Sequence, residues 1–207
     1  MTRSGRTRGS EEVKGGKKNK ANGQARTGAR AWPESRPVNN LFSEPVVSAK
    51  PATQIKIRRA KRADAPFVAA LAGKVLSEYG LYDKCLPDWL FLDGIVSLIA
   101  EMRRRPVGMA IIHLPEKMDN PGLGFIVYIL AMAVSPTFQR RGVGHALMRW
   151  IINYAIKNKF EYIVLHTAVA NHQAINFYKK YNFEVTRLVR NYYPSGQDAF
   201  TMFLTLD

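Results

Sequence analysis

Two glycines and two arginines lie between a run of β-prone residues and a helical pattern, in the segment QRRGVG at residues 139–144. The preceding run, residues 125–134, has the composition and length of a buried strand, and Pro136 ends it. After the glycines, apolar residues recur at helical spacing from Leu147 to Tyr154. The first N–H groups of a helix lack partners within it and lie at the positive end of its dipole. The sequence therefore predicts an anion site at this turn.

The spacing of the glycines distinguishes between three known phosphate-binding patterns. Gly142 and Gly144 remove side chains that would keep a phosphate from the backbone, and Arg140 and Arg141 add positive charge. The nucleoside-triphosphate loop G-x-x-x-x-G-K-[ST] is absent. The dinucleotide fingerprint needs a third glycine where Leu147 stands. The pattern [QR]-x-x-G-x-[GA] matches fully, and a glycine turn with two solvated arginines is the alternative.

Composition limits the class of protein. The chain has 207 residues and a net charge of +15, with Cys85 as its one cysteine. A single cysteine excludes an intramolecular disulfide and gives no metal cluster, and it suits a reducing compartment, so we expect a cytoplasmic protein. No apolar run approaches the roughly 20 residues of a spanning helix, so we expect it to be soluble.

The N-terminal segment differs from the rest of the chain. Residues 1–50 contain 11 basic and 4 acidic residues, which makes their net charge +7, and few large apolar residues. Such a segment buries too little surface to offset its ordering entropy, so we predict a disordered basic tail over residues 1–53 and a folded domain over residues 54–207. A basic arm that contacts RNA or the ribosome is one alternative. An organelle transit peptide is another, although Glu11, Glu12 and Glu34 argue against it.

Periodicity predicts a mixed α/β order, β-α-α-β-β-β-α-β-α-β-β. Asp64 is a candidate N-cap for the first helix, and Pro66 lies in its first turn. The predicted elements are a strand near Ile55–Ile57, a helix from Asp64 to about Tyr79, a loop with a short helix over 81–93, strands over 95–102 and 107–114 around a turn at 103–106, a polar loop over 115–124, the strand over 125–134, the helix after Gly144, a strand over 162–167, a helix over 171–181, and strands over 183–190 and 200–206.

The central and C-terminal parts of the chain resemble the Gcn5-related N-acetyltransferases (GNATs). Residues 139–144 match the acyl-CoA pyrophosphate loop of that superfamily, and the likeness is nearly continuous from Tyr128 to Tyr193. It is closest to protein Nα-acetyltransferases of the ribosomal-protein alanine type and of the eukaryotic types that act on Met-hydrophobic N-termini. Residues 55–114 resemble the family only in layout. Asn182 stands where the family usually has glycine, and asparagine tolerates the left-handed conformation better than most residues.

The resemblance implies a fold and a cofactor. The fold is mixed α/β, with a central, mostly antiparallel sheet of about seven strands, a splayed pair formed by the fourth and fifth strands, and flanking helices. The cofactor is acetyl-CoA, and no metal is implied. The implied cofactor-binding residues are Met132, Ala133, Val134, Gln139, Arg140, Arg141, Gly142, Val143, Gly144, His145, Ala146, Asn171 and Tyr178.

Acetyl transfer to an amine needs a base, a polarised carbonyl and an acid for the leaving thiolate. A free α-amine has a pKa near 8, so a base with a pKa around 7 suits it. By resemblance, Tyr128 and His166 deprotonate the amine, Tyr178 protonates the thiolate, and a backbone N–H within residues 132–134 polarises the carbonyl. Packing in the core is the alternative for each of these side chains. The chain has no G-x-S-x-G elbow, which favours direct transfer.

The resemblance also implies an acceptor. The implied substrate-binding residues are Leu81, Tyr82, Leu130, Tyr192 and Tyr193, with the two last tyrosines hydrogen-bonded to the peptide backbone. The predicted function is transfer of acetyl to the α-amino group of protein N-termini. One alternative is a GNAT that acts on a lysine side chain or a small amine. Another, of a different class, is a non-catalytic module that binds RNA or the ribosome.

Overall fold

The computed structural model describes residues 55–115 and 125–206. The predicted tail and most of the predicted polar loop after His113 lie outside these residues. Within them, strands and helices follow in the predicted order. They are β1 Ile55–Arg59, α1 Ala65–Val75, α2 Tyr82–Trp89, β2 Ile95–Met102, β3 Arg105–His113, β4 Ile126–Val134, α3 Val143–Lys157, β5 Tyr162–Ala168, α4 His172–Lys179, β6 Glu184–Val189 and β7 Ala199–Thr205.

The described strands form one sheet in the order β1-β2-β3-β4-β5-β7-β6. Every neighbouring pair is antiparallel except β4 with β5, which is parallel. This arrangement confirms the predicted mixed α/β sheet. No helix in the described ranges has the length and apolar character needed to cross a membrane.

The β4–β5 pair separates halfway along β4. The parallel register runs from Ile126, opposite Tyr162, to Ile129, opposite Leu165, and goes no further. At the same point the register between β3 and β4 shifts, so that Leu130 is the extra residue of a bulge. The bulge reverses the alternation of side chains, so that Ile129 before it belongs to the core under α3 and Ala131 after it belongs to the core on the other face. The predicted splay is therefore present and coincides with Leu130.

The sheet carries a hydrophobic core on each face. On one face α3 buries Leu147, Ile151 and Ala155 against the sheet, and this core continues to Phe183. On the other face α1 and α2 cover the middle strands, with Val68 at its centre. Two covered faces explain why β2, β3 and β4 read as nearly continuous apolar runs.

Two predicted boundaries differ from the structure. The helix α1 ends at Val75 rather than near Tyr79, because Tyr79 leaves the helix and packs against a ring on a distant loop. The hairpin between β2 and β3 turns on two residues rather than four. These are Arg103, with φ of 49°, and Arg104, with φ of 62°, as a two-residue hairpin of this kind requires.

Asp64 precedes α1 as predicted, but its carboxylate does not cap that helix. It accepts one hydrogen bond from the Lys61 N–H at 2.7 Å and one from each terminal nitrogen of Arg58, at 2.7 and 2.8 Å. The Nε of Arg58 donates to Glu101 at 2.6 Å. This network joins β1 to the start of α1 and to β2. The hydrogen bonds from Arg58 lower the pKa of Asp64.

We predict that Asp64→Asn destabilises the fold by about 2 kcal/mol at neutral pH, since it weakens charge-assisted hydrogen bonds at a buried site. A carboxyl whose pKa is lowered by folding contributes stability above its unfolded pKa and loses it as the pH falls. The deficit of the variant should therefore shrink below about pH 4. Urea unfolding across this pH range measures it.

The matched control is Asp83→Asn, because Asp83 faces the exposed Lys84 at 3.4 Å. An exposed pair of this kind contributes little, so this variant should unfold within about 0.5 kcal/mol of the parent protein. Equal losses in both variants would contradict the role of the Arg58 network.

Candidate active site

A cleft of about 650 Å³ opens where β4 separates from β5. Its walls are the end of β4, the 139–144 loop, the start of α4 and the segment after α1. It brings together ten of the predicted cofactor-binding residues from three separate parts of the chain. These are Met132, Ala133, Val134, Gln139, Arg140, Gly142, Gly144, His145, Asn171 and Tyr178.

The 139–144 loop has the backbone of an anion-binding turn. Gly142 has φ of 85°, a left-handed conformation that favours glycine. The first hydrogen bond of α3 runs from the Ala146 N–H to the Gly142 carbonyl at 2.9 Å. The amides of residues 143–145 precede this bond and are left for another acceptor. Gln139 ties the loop to β4, because its Nε2 donates to the Val134 carbonyl at 3.2 Å.

The two arginines of the loop lie on different sides of it. Arg140 lines the cleft. Arg141 packs its guanidinium 5.5 Å from the centre of the Phe138 ring and lines another cavity. Of the other predicted cofactor residues, Val143 is buried in the core and the side chain of Ala146 does not line the cleft. The loop therefore offers one arginine side chain to the cleft.

His145 lies on the cleft wall beside an aromatic group. Its Nδ1 is 2.6 Å from the hydroxyl of Tyr181, and its ring centre is 5.2 Å from that of Phe177. Burial, followed by the nearby charges of Lys180 and Arg149, lowers the pKa of His145. The imidazole is therefore neutral near pH 7 and can exchange a hydrogen bond with Tyr181.

Asn171 connects the cleft to the segment after α1. It precedes α4 as its N-cap, with its Oδ1 accepting the Ala174 N–H at 3.0 Å. Its Nδ2 donates to the Tyr79 hydroxyl at 3.2 Å. Asn171 thus lies one residue before α4, whereas the sequence predicts it inside that helix. Asn171 and Tyr178 both line the cleft. Burial, with Glu78 nearby, raises the pKa of Tyr79 to about 12.

Tyr178 is buried at the base of the cleft. Its ring centre is 5.7 Å from that of Phe183, and it belongs to the core beneath α3. Burial raises its pKa, so its hydroxyl remains protonated at neutral pH. A protonated phenol in a cleft is a hydrogen-bond donor toward a charge that develops there.

His166 lies outside the wall of the cleft and stacks on Tyr192. The two ring centres are 4.3 Å apart, with planes at 14°. Tyr192 contacts Tyr193 with ring centres 4.9 Å apart, and Tyr193 contacts Tyr79 at the same separation. Burial lowers the pKa of His166, so its imidazole is neutral at pH 7 and can accept a proton. A continuous chain of rings joins His166 to Tyr79 at the cleft.

Tyr128 lies on the same face of the sheet as His166. It is paired with Val164, and residues two apart in a strand point to the same face. Its ring centre is 6.3 Å from that of His113 on β3. The structure therefore makes Tyr128 and His166 diagonal neighbours on adjacent strands.

The predicted substrate residues divide into two groups. Tyr192 and Tyr193 belong to the chain of rings, and burial followed by nearby Tyr82 raises the pKa of Tyr193. Leu81 is 76% exposed and Leu130 is 40% exposed. Leu130 offers apolar surface at the splay, Leu81 lies just before α2, and Tyr82 packs partly buried against the core under α1 and α2.

Two loops are joined at this end of the sheet, a feature that sequence reasoning missed. The Ser195 N–H donates to the Tyr79 carbonyl at 3.4 Å, and the Gln197 Nε2 donates to the Glu78 carbonyl at 3.0 Å. A Cβ added to Gly80 would lie 3.1 Å from Pro194. Glu78, Tyr79 and Gln197 thus line the cleft through contacts that no local pattern signals.

The fold and the cleft belong to a known class of enzyme. Residues 55–183 match the acetyltransferase (GNAT) family, so the chain belongs to this family and is an N-acetyltransferase. It is 36% identical over 115 residues to an N-alpha-acetyltransferase of Sulfolobus acidocaldarius, which covers 53% of this chain and 68% of the relative.

Solved structures share the fold of this chain. The structure of Ard1 from Thermoplasma volcanium matches with a TM-score of 0.63 and 26% identity, covering 74% of this chain and 98% of that one. The Arabidopsis thaliana Naa50 structure, in complex with the bisubstrate analogue CoA-Ac-MVNAL, matches in fold. Its TM-score is 0.62 and its identity 23%, covering 72% of this chain and 97% of that one.

We predict that Tyr79→Ala loosens the loop after β6, because it removes the ring against Tyr193 and the acceptor for Asn171. Hydrogen exchange over residues 191–198 should become faster, since the ring of Tyr193 loses its packing partner and the loop that carries it opens more often. Tyr79→Phe keeps the ring and should preserve most of the protection. Equal exchange in the parent protein and Tyr79→Ala would show that the two loops are held by other contacts.

Proposed function

We propose that this enzyme transfers acetyl from acetyl-CoA to the α-amino group of protein N-termini. The observation that carries the proposal is the pair of joined loops around Tyr79 and Tyr193, which flanks His166 at the splay of the sheet. Two loops held together leave a slot rather than an open surface, and an extended chain end fits a slot better than an internal lysine with flanking chain. The name of the Sulfolobus relative supports the same substrate class.

The cleft fits acetyl-CoA by the chemistry of its wall. A pyrophosphate needs backbone donors and positive charge, and the amides after Gly142 and the Arg140 side chain supply both. Bound acetyl-CoA supplies the acetyl group as an activated thioester. A backbone N–H within residues 132–134, where β4 has left β5, would polarise its carbonyl. The analogue in the Naa50 structure joins coenzyme A and a peptide sequence in one molecule, which supports a cofactor site beside a peptide site.

His166 and Tyr128 act in this proposal as the base for the amine. Burial keeps His166 neutral at pH 7, and stacking on Tyr192 fixes the plane of its ring. Because the α-amine has a pKa near 8, a neutral imidazole can accept its proton directly or through a water. Tyr178 would donate its hydroxyl proton to the leaving thiolate, since burial keeps that hydroxyl protonated.

We predict that His166→Gln combined with Tyr128→Phe lowers kcat by about 10²–10⁴-fold and leaves the KM for acetyl-CoA nearly unchanged. In the parent enzyme kcat should fall on acidification as His166 becomes protonated, at a pH below the usual histidine pKa of about 6.5, because burial lowers the pKa of His166. The kcat of the double variant should not show this fall at acidic pH. Steady-state kinetics across pH 5–9 measure both effects, with His113→Gln as the matched control. Parental activity in the double variant would place the base elsewhere.

We predict that peptides with a free N-terminus react at least tenfold faster in kcat/KM than the same peptides blocked at the N-terminus and carrying an internal lysine. Thiol release from acetyl-CoA measures this rate. Tyr193→Ala should raise the KM for the peptide and spare that for acetyl-CoA. Faster reaction of lysine peptides or polyamines would overturn the N-terminal assignment in favour of the other GNAT function. The absence of thiol release with every acceptor would favour a non-catalytic module.

Two further parts of the proposal rest on composition. The basic segment over residues 1–53 would contact RNA or the ribosome through its Lys and Arg side chains. Cytoplasmic location follows from the single cysteine, which suits a reducing compartment.

A further inference from the structure

A second cavity, of about 490 Å³, lies on the other side of the 139–144 loop from the cleft. It is lined by Met102, Arg103, Arg105, Phe138 and Arg141. Three of these five residues are arginines and none is acidic. We call it the arginine cavity. We propose that it binds the phosphate backbone of single-stranded nucleic acid.

The charges of the arginine cavity have no ion-pair partner in the part of the chain that the structure describes. Among the ion pairs between described residues, none involves Arg103, Arg105 or Arg141. The nearest carboxylate in sequence, that of Glu101, is held by Arg58 at 2.6 Å. Several guanidinium groups around one concave space, without a counter-charge, favour an anionic ligand. The planar guanidinium can donate two parallel hydrogen bonds to phosphate oxygens, which the ammonium group of lysine cannot do.

The backbone conformation at the β2–β3 turn is one that arginine adopts only at a cost. Arg103 and Arg104 form the tip of the β2–β3 hairpin, and both have left-handed φ angles of 49° and 62°. Glycine and asparagine adopt this conformation at lower cost than arginine, which loses about 1 kcal/mol per residue there. Two arginines in such a turn keep positive charge at the hairpin tip at the expense of turn stability.

A second group on the same side of the sheet suits the bases of such a ligand. The guanidinium of Arg59 lies 5.6 Å from the ring centres of both Trp150 and Tyr154. These two rings stack with centres 5.1 Å apart and planes at 7°. Flat rings beside a guanidinium are the groups on which nucleic-acid bases stack.

The two groups are connected by β1 and α3. Ile55, at the start of β1, lies beside Gly142, whose added Cβ would be 3.6 Å from its Cδ1. Arg59, at the end of β1, lies beside Trp150 and Tyr154. Trp150 and Tyr154 follow Gly142 by 8 and 12 residues, which is about 12 and 18 Å along the helix. Several nucleotides of a single strand can span this distance.

A membrane surface fits the arginine cavity less well. Basic sites on membranes pair their charge with exposed apolar side chains that enter the lipid. None of the exposed large apolar residues of the described chain lines this cavity. The cavity is also concave, which suits a chain of phosphates more than a flat layer of headgroups.

The test is fluorescence anisotropy of a labelled poly(U) strand, titrated with the full chain over a range of salt concentrations. Arg103→Gln with Arg105→Gln should weaken binding about tenfold at low salt and reduce the slope of log K against log salt by about one to two. Arg103→Lys with Arg105→Lys should bind with intermediate affinity, because this variant keeps both positive charges and loses the paired hydrogen bonds of the guanidinium groups. Unchanged melting temperatures establish that the variants are folded.

The matched control is Lys74→Gln with Arg187→Gln, which removes the same charge from exposed positions on α1 and β6. Its affinity for poly(U) should stay within about twofold of the parent. An equal loss of affinity for poly(U) in the control would show that only net charge matters, and it would overturn the proposal. The KM for acetyl-CoA should be unchanged in the cavity variant, and an increase there would assign the cavity to a cofactor phosphate instead. Phosphatidylserine vesicles that bind the parent more tightly than poly(U), and lose binding in the cavity variant, would assign it to a membrane.

Discussion

The parallel pairing of β4 with β5 stops at Ile129, and the remaining structure of the site depends on this interruption. One extra residue, Leu130, bulges β4 and turns its second half away from β5. The backbone of residues 132–134 then has β3 on one side and the cleft on the other. Because a sheet normally satisfies both sides of an inner strand, the end of β4 differs from the rest of the sheet in leaving a backbone donor for a substrate group. The splay thus creates the space and also supplies part of its chemistry.

Tyr79 links the parts of the site that face this gap. Its hydroxyl accepts a hydrogen bond from Asn171 on the cofactor side, and its ring begins the series that passes through Tyr193 and Tyr192 to His166. The cleft and the region around His166 therefore share one buried side chain. This arrangement favours a geometry in which the acceptor side is set before the substrate arrives, since rigid aromatic rings lose little conformational freedom on binding.

The 139–144 loop divides the positive charge of this region between two surfaces. Arg140 faces the cleft, and Arg141 faces the arginine cavity with the hairpin arginines. Neighbouring residues in a turn can point in opposite directions, so adjacent charges need not serve one ligand. A chain with net charge +15 can therefore hold a cofactor phosphate at one site and leave a separate basic surface for another partner.

The sequence by itself determined the order of strands and helices, the α/β class and the position of the glycine loop, because these follow from periodicity and turn residues within short segments. It also indicated ten residues of the cleft. The tertiary structure alone decided where α1 ends, what Asp64 binds, which arginine enters the cleft and that Tyr79 joins the two loops. These depend on contacts between distant residues, such as Asn171 with Tyr79, 92 positions apart, and Gln197 with Glu78, 119 apart. A local pattern carries the preferences of one segment for helix or strand, whereas a side chain's partner is set by whichever surface the completed fold brings against it.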